Sequence, residues 1–246
     1  MQIKLYQAIE TPCGYFDDRT SQSVVVDPEL EVNQQLTSWF SQEGYRRSGE
    51  MIYLPNCQGC QACISCRLKT DEFKPSKSQK RVINKFRRFA QSDENEISLE
   101  IVPAQYSTEL YELFERYINL RHKDGDMYPA SQEQFKSFLC QDFQFNFFLV
   151  IKNHQKPILV SLFDQLSDGL SAVYSFFDPD YEFLSPGVLA VLKLIELNQK
   201  MAQPYLYLGY WIKDCKKMNY KANYQPLEMY KNGQWEPYVF DTSPSE

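Results

Sequence analysis

Four cysteines at two-residue intervals, Cys57, Cys60, Cys63 and Cys66, form the densest chemistry-bearing cluster in the chain. Such spacing lets thiolates converge on one ion, at about 2.3 Å per bond for zinc. It also approaches iron–sulfur spacing, although the last interval is two residues and no proline follows. Cys13, from a distant segment, is an alternative fourth ligand that would staple the amino terminus to the knuckle. Reduced thiols packed in a loop are the competing reading. Cys140 and Cys215 read as ordinary buried residues.

The second cluster is cationic. Residues 67–88 hold nine Lys or Arg (Arg67, Lys69, Lys74, Lys77, Lys80, Arg81, Lys85, Arg87, Arg88) against only Asp71 and Glu72, on a chain of net charge -6. The acidic body repels nucleic acid in general. A focused basic stripe on it suits one polyanion docked in one orientation.

With 246 residues, 43% apolar and 15% aromatic, the chain has ample material for one large domain or two small ones. Its start, MQIKLYQAIE, lacks an export pattern, and the longest apolar run, residues 147–151, is far too short to span a membrane. The expected compartment is the cytoplasm, with no membrane partner. There, close cysteines serve metal or redox chemistry more readily than disulfides.

These clusters need elements to position them. Asp27 and Pro28 signal the start of a helix that Gly44 ends. Strands are expected near 51–54 and 64–70, with the cysteines in the tight loop between them. Ser76 caps a helix with Val82, Ile83, Phe86 and Phe89 on one face and basic residues on the other. Residues 91–96 read as a linker, which divides the chain into an N-terminal Cys-rich domain with the basic helix (1–90) and a second domain (97–240).

The second domain opens with a strand at 97–102, a helix capped by Ser107, and a helix opened by a capping box at Ser131 and Gln134. Strands at 145–152, 158–166 and 170–177 form an antiparallel meander. Ser185 and Pro186 start a long helix to about Met201, a strand covers 205–210, and a hairpin turns at Asn232-Gly233. Meander, crossover helix and strand is the central sequence of the GNAT acyltransferase fold. The expected class is therefore α+β, a GNAT-like domain with the Cys-rich segment packed against it. In that fold the last two strands splay around the acyl donor. Coenzyme A would need a glycine-rich loop at the crossover helix. Here the loop is EFLSPG, with an acidic residue and a proline that removes an amide donor. The acyl group should ride on another carrier, and the basic stripe nominates RNA.

Tyr174 and Ser175 on the last meander strand, and Tyr210, Trp211 and Lys213 at the end of the splaying strand, would face the cleft, although aromatics there are more often core. His122 and His154 are the only histidines. His154 reads as a hairpin-turn residue. The polar segment 121–127 reads equally as a surface turn or a site.

The segments TPCGYF, YRRSGEMIYLPNCQGCQACISCR, FKPSKSQKRV, RHKDGDMYP, AVYSFFDP and YLYLGYWIKDCKKMNYKANYQPLE together resemble the arginyltransferase family, in its bacterial branch of aspartate/glutamate leucyltransferases. The resemblance spans nearly the whole chain. It implies transfer of leucine from leucyl-tRNA to proteins beginning with Asp or Glu, which marks them for N-end-rule degradation. The family's cysteine region maps onto Cys13, Cys57, Cys60 and Cys63, with Cys66 where an aliphatic residue is expected. Pro186 likewise stands where an aliphatic residue is usual.

An aminoacyl ester is already activated, so the chemistry requires no cofactor, and zinc or an iron–sulfur cluster on the knuckle would be structural or regulatory. The enzyme must position the reactants, present a neutral amine and stabilise an oxyanion. Tyr174, Ser175 and Asp126 are candidates to accept the amine's proton. Arg67, Arg121 and Lys213 are candidates to read an acidic first side chain. Lys77, Lys80, Arg81 and Lys85 are candidates for tRNA phosphates. The rivals are a coenzyme A-dependent N-acetyltransferase and a non-enzymatic metal- or cluster-containing RNA-binding protein.

Overall fold

A computed structural model describes residues 3–123 and 125–239. The chain begins with β1 (Leu5–Gln7), the short pair β2 (Thr11–Pro12) and β3 (Thr20–Ser21), and β4 (Ser23–Val26). Next come α1 (Gln34–Gln42), β5 (Arg46–Ser48) and β6 (Met51–Pro55). Strands β1, β4, β6 and β5 make a four-stranded antiparallel sheet in that order. The first helix starts later than Asp27-Pro28 suggest. Asp27 Oδ1 accepts only from the Glu29 amide, a local turn, whereas Asn33 Oδ1 accepts from the Leu36 amide at 2.9 Å and is the true N-cap.

After the cysteine loop come β7 (Ile64–Lys69), α2 (Lys77–Ala90), β8 (Ile97–Pro103), α3 (Thr108–Arg121) and α4 (Gln132–Leu139). The meander is β9 (Asn146–Asn153), β10 (Lys156–Leu166) and β11 (Gly169–Phe177), followed by α5 (Pro186–Lys200) and β12 (Tyr205–Trp211). A four-residue helix α6 (Lys216–Asn219) and the hairpin β13 (Leu227–Lys231) and β14 (Gln234–Pro237) close the described chain. One eight-stranded sheet holds them in the order β14-β13-β7-β12-β11-β10-β9-β8. The fold is mixed α/β around this sheet.

Strand β7 lies between β13 and β12, so the segment ahead of the 91–96 linker supplies an inner strand of the large sheet. The linker separates α2 from β8, but one apolar cluster spans it, with Cys66, Leu68 and the α2 stripe packed together with β9, β10 and α5. The apolar run in β9 serves both faces, as expected of a strand covered on both sides. Leu149 and Ile151 pack with α5 and the apolar stripe of α2, while Phe148 and Val150 pack with α3 and α4. Ser76 and Gln79 form the reciprocal capping box that starts α2.

The small sheet is tied to the large one by buried polar contacts. Arg47 on β5 donates from Nε and Nη2 to both Asp164 oxygens on β10, at 2.8 and 2.6 Å. Ser65 Oγ donates to the Gly44 carbonyl at 2.6 Å, and the Ser167 amide to Ser38 Oγ at 2.8 Å. No helix among the described residues is long and apolar enough to cross a membrane.

Candidate active site at the strand fork

Strands β11 and β12 pair in parallel only over Gly169–Ser171 and Tyr205–Tyr207, then part, although β11 runs on to Phe177 and β12 to Trp211. The fork opens into a cleft of about 800 Å³. Its floor is apolar, with Val188, Val191 and Leu194 from α5 meeting Leu208 of β12 and Phe177 of β11. Cations line the cleft as well, Arg46 from β5, Lys217 from α6 and the buried Lys221 from the turn that follows it.

Lys221 is only 6% exposed, and its Nζ donates to the Tyr210 carbonyl. Burial pulls its ammonium down to about 8, with Arg46 acting in the same direction and Cys66 opposing it. Burial pushes the Tyr174 phenol up, so at neutral pH it is a hydrogen-bond donor rather than a base. The Ser175 and Ser161 hydroxyls share a hydrogen bond of 2.9 Å. Tyr210 donates its hydroxyl to the Tyr53 carbonyl at 3.1 Å and is likewise held protonated by burial.

Of the residues singled out from the sequence, Tyr174, Ser175 and Tyr210 line the cleft. Trp211 does not; it is buried and donates Nε1 to the Asn219 carbonyl at 3.2 Å. Asp126 and Lys213 are exposed and lie outside the cleft lining. Arg121 sits at the rim, where Nη1 pairs with Glu182 at 2.7 Å. His122 packs on Tyr117, and burial lowers its pKa. His154 turns the β9–β10 hairpin with φ of 47°.

Arg67 is placed far from the role expected of it. It is buried on β7, pairs with Glu228 at 2.7 Å and lies 3.6 Å from the Tyr205 ring centroid, with its charge consumed inside the sheet. Lys69 pairs with the same Glu228 at 3.2 Å. The basic stripe therefore narrows to α2, where Lys77, Lys80, Arg81, Lys85, Arg87 and Arg88 are exposed. A second groove of about 430 Å³, lined by Arg81 and Lys85 from α2 and by Tyr220 and Tyr224, shares Ser185, Val188 and Tyr220 with the main cleft.

The cysteines gather at a corner of the small sheet. Cys57 Sγ accepts from the Gln22 amide at 3.4 Å, and Cys60 Sγ accepts from Arg19 Nη1 at 3.5 Å. Burial, then the charges of Cys57, Cys13 and Cys60, push the Cys63 thiol up to about 12. The Ala62 amide and Arg19 lower that of Cys60. Among the described residues no group of three or more His, Cys, Asp or Glu side chains is set out to hold a metal ion. Cys66 is buried on β7 and donates to the Gly209 carbonyl at 3.1 Å, away from the corner. Cys215 is buried as expected, whereas Cys140 is half-buried.

Sequence reasoning missed Arg46, Lys217 and Lys221, all within the segments YRRSGEMIY and KKMNYK that carry the resemblance.

Fold and cleft together define an α/β protein with a partly apolar, partly cationic cleft near a basic helix, and the chain belongs to the arginine-tRNA-protein transferase family. It matches "Arginine-tRNA-protein transferase, N terminus" over residues 11–81 and "Arginine-tRNA-protein transferase, C terminus" over residues 109–231. It is similar to the aspartate/glutamate leucyltransferase of Saccharophagus degradans, 41% identical over 239 residues, covering 97% of this chain and 98% of that one. That of Teredinibacter turnerae is 44% identical over 235 residues, covering 95% and 93%. Among solved structures, L-PGS from Bacillus licheniformis aligns over 62% of this chain and 48% of its own, at 13% identity and a TM-score of 0.44, too slight a likeness to carry an argument.

Proposed function

We propose that the chain transfers leucine from leucyl-tRNA to the amino-terminal Asp or Glu of proteins, within a GNAT-like cleft, and so marks them for N-end-rule degradation in the cytoplasm. The observation that carries this reading is the cleft itself, where apolar side chains of α5 and β12 that can seat an aliphatic acyl group share one cavity with the cations Arg46, Lys217 and Lys221. Relatives at about 40% identity over nearly their whole length bear the name of that activity.

The groove between α2 and the cleft suits the single-stranded end of a tRNA. Arg81 and Lys85 lie where phosphates would run, and Tyr220, 40% exposed, offers a face for a base. The leucyl side chain then packs on Val188, Val191, Leu194 and Leu208, while the acceptor lies on the side of the cleft that carries the cations. Its α-amine, with an ordinary pKa near 8, needs only modest desolvation to expose its lone pair. Attack forms the C–N bond. The carbonyl oxygen becomes an oxyanion facing Lys221 and the Tyr174 hydroxyl, and collapse breaks the ester C–O bond as the ammonium proton passes to the ribose oxygen. No step draws on the cysteine corner, where bound zinc or a cluster would brace the small sheet.

A coenzyme A donor is disfavoured by the start of α5. Pro186 has no amide hydrogen, Ser185 is left-handed at φ of 54° and gives no side-chain cap, and the exposed Glu182 stands beside the entry. The deciding experiment incubates the protein with a peptide beginning with Asp, leucyl-tRNA and acetyl-CoA carrying different labels. Leucine label on the peptide is expected. Acetyl label, or none, overturns the reading.

A further inference from the structure

Strand β5 delivers Arg46 to the point where β11 and β12 part. Its Nη1 donates to Ser171 Oγ at 2.9 Å and its Nη2 to the Ala172 carbonyl at 2.6 Å. Ser171 is the last residue of β11 paired with β12, and Ala172 is the first beyond that pairing. The guanidinium is thereby pinned in the crotch of the fork. From the other strand Gly209 closes on it: a Cβ there would stand 2.9 Å from Cζ and Nε, and its φ of +83° is one that glycine adopts without strain. Both strands grip one cation.

These bonds use two of the guanidinium's five N–H donors. Among the described residues no carboxylate lies in ion-pair range of Arg46, Lys217 or Lys221. The acids nearby have other partners, Asp164 with Arg47 at 2.6 Å and Glu182 with Arg121 at 2.7 Å. A half-buried, immobilised guanidinium with spare donors at an open cleft fits a carboxylate, which can accept two parallel bonds from it.

We propose that Arg46 reads the side-chain carboxylate of the acceptor's first residue, with Lys221 supplying a second positive charge behind it. The proposal rests on the aminoacyl-transfer reading above. Asn and Gln have nearly the shape of Asp and Glu, but they set an NH2 donor against N–H donors and leave a desolvated cation uncompensated, so the site rejects them. Gly209 is the positioning residue: its missing side chain makes room for the guanidinium.

The test compares two peptides identical but for a first residue of Asp or Asn, with leucyl-tRNA as donor. The readout is the ratio of their kcat/KM values in one preparation, so the folded fraction cancels. For wild type the expected ratio is about a hundredfold in favour of Asp. In Arg46→Gln it should fall to within about threefold, the neutral side chain having no preference for a carboxylate. Gly209→Ala keeps every cleft charge and crowds the guanidinium, while also straining a backbone held at φ +83°. Its ratio, read within one preparation so that any loss of folded protein or of donor binding cancels, should drop about tenfold, and it decides the matter if Arg46→Gln transfers nothing. No transfer by wild type to either peptide overturns the aminoacyl-transfer reading itself. Transfer by wild type with a ratio unchanged in the variants overturns the assignment to Arg46 alone.

Discussion

Arg47 and Asp164, 117 positions apart, form a two-bond ion pair whose side chains are 2% and 1% exposed, and it joins the small sheet to the large one. Removing one partner strands the other as an uncompensated buried charge. Asp164→Ala should therefore lower stability by about 3–5 kcal/mol, and Arg47→Met with Asp164→Leu should recover most of that loss. Urea unfolding of the three variants checks this. A loss under about 1 kcal/mol in the single variant would show that the joint is held elsewhere.

Because Arg47 is turned to Asp164, its neighbour Arg46 is free to face the fork, and this division was not legible in the sequence. Two adjacent arginines on a strand look alike until partners are placed, and the partner of Arg47 lies on β10. The same blindness affected Arg67, which read as part of a basic stripe but is neutralised by Glu228, 161 positions away. What could be read was set by near neighbours: the Ser76, Ser107 and Ser131 caps, the meander turns and the helix beginning at Pro186. The reciprocal capping box, however, forms at Ser76 and Gln79 and not at Ser131, where the Gln134 side chain makes no return bond. The Asp27-Pro28 signal misplaced α1 because it makes a turn that Asn33 then supersedes as the cap. Tyr174, Ser175 and Tyr210 could be placed because they sit on strands whose order followed from those local signals.

Lys221 gives a pH signature. Unfolded, its ammonium titrates near 10.5; folded, burial brings it to about 8. Between these values the unfolded chain binds more protons, so stability rises with pH across that window. Below it both states are protonated and the native state carries the burial penalty. The increment is on the order of 3 kcal/mol, and Lys221→Met lacks it. Unfolding at pH 7.5, 9 and 10 should show wild type gaining on the variant, while the tyrosines common to both cancel. A constant difference across the range would remove the depressed lysine from the account.

Thiol reactivity should rank the cysteine corner. The Ala62 amide and Arg19 favour the Cys60 thiolate, whereas burial and three neighbouring thiols hold Cys63 near 12. In metal-free protein, iodoacetamide should label Cys60 at least about a hundredfold faster than Cys63, read by peptide mass spectrometry. Equal protection of Cys13, Cys57, Cys60 and Cys63, with zinc or iron in anaerobically prepared protein, would instead reveal a ligand shell that forms only around the ion.

The exposed cations of α2 should act through phosphate. Replacing Lys77, Lys80 and Arg81 together by Gln should weaken tRNA binding and flatten the slope of log K against log salt by about 0.7–0.9 per lost contact. The acceptor peptide's KM should hardly move, because these side chains lie outside the main cleft. Fluorescence titrations between low and moderate salt measure both. An unaltered slope would move the tRNA to another face.

Donor choice should follow from the floor of the cleft. Val188, Val191, Leu194 and Leu208 offer a terminal cation no hydrogen-bond partner, and Arg46 and Lys221 in the same cleft would repel one. Arginyl-tRNA should thus be a poor donor despite the family's description, because a charged group buried without a partner loses several kcal/mol. Discrimination among aliphatic groups must be weaker. Valine lacks one methylene of leucine, and such a difference changes transfer by only about 10–200-fold. The measurement is kcat/KM with one Asp-initiated peptide and leucyl-, valyl- and arginyl-tRNA in turn, expected in the order leucine, valine, arginine. Arginine on a par with leucine would mean that the acyl side chain does not lie on α5, and the aliphatic floor would lose its place in the mechanism.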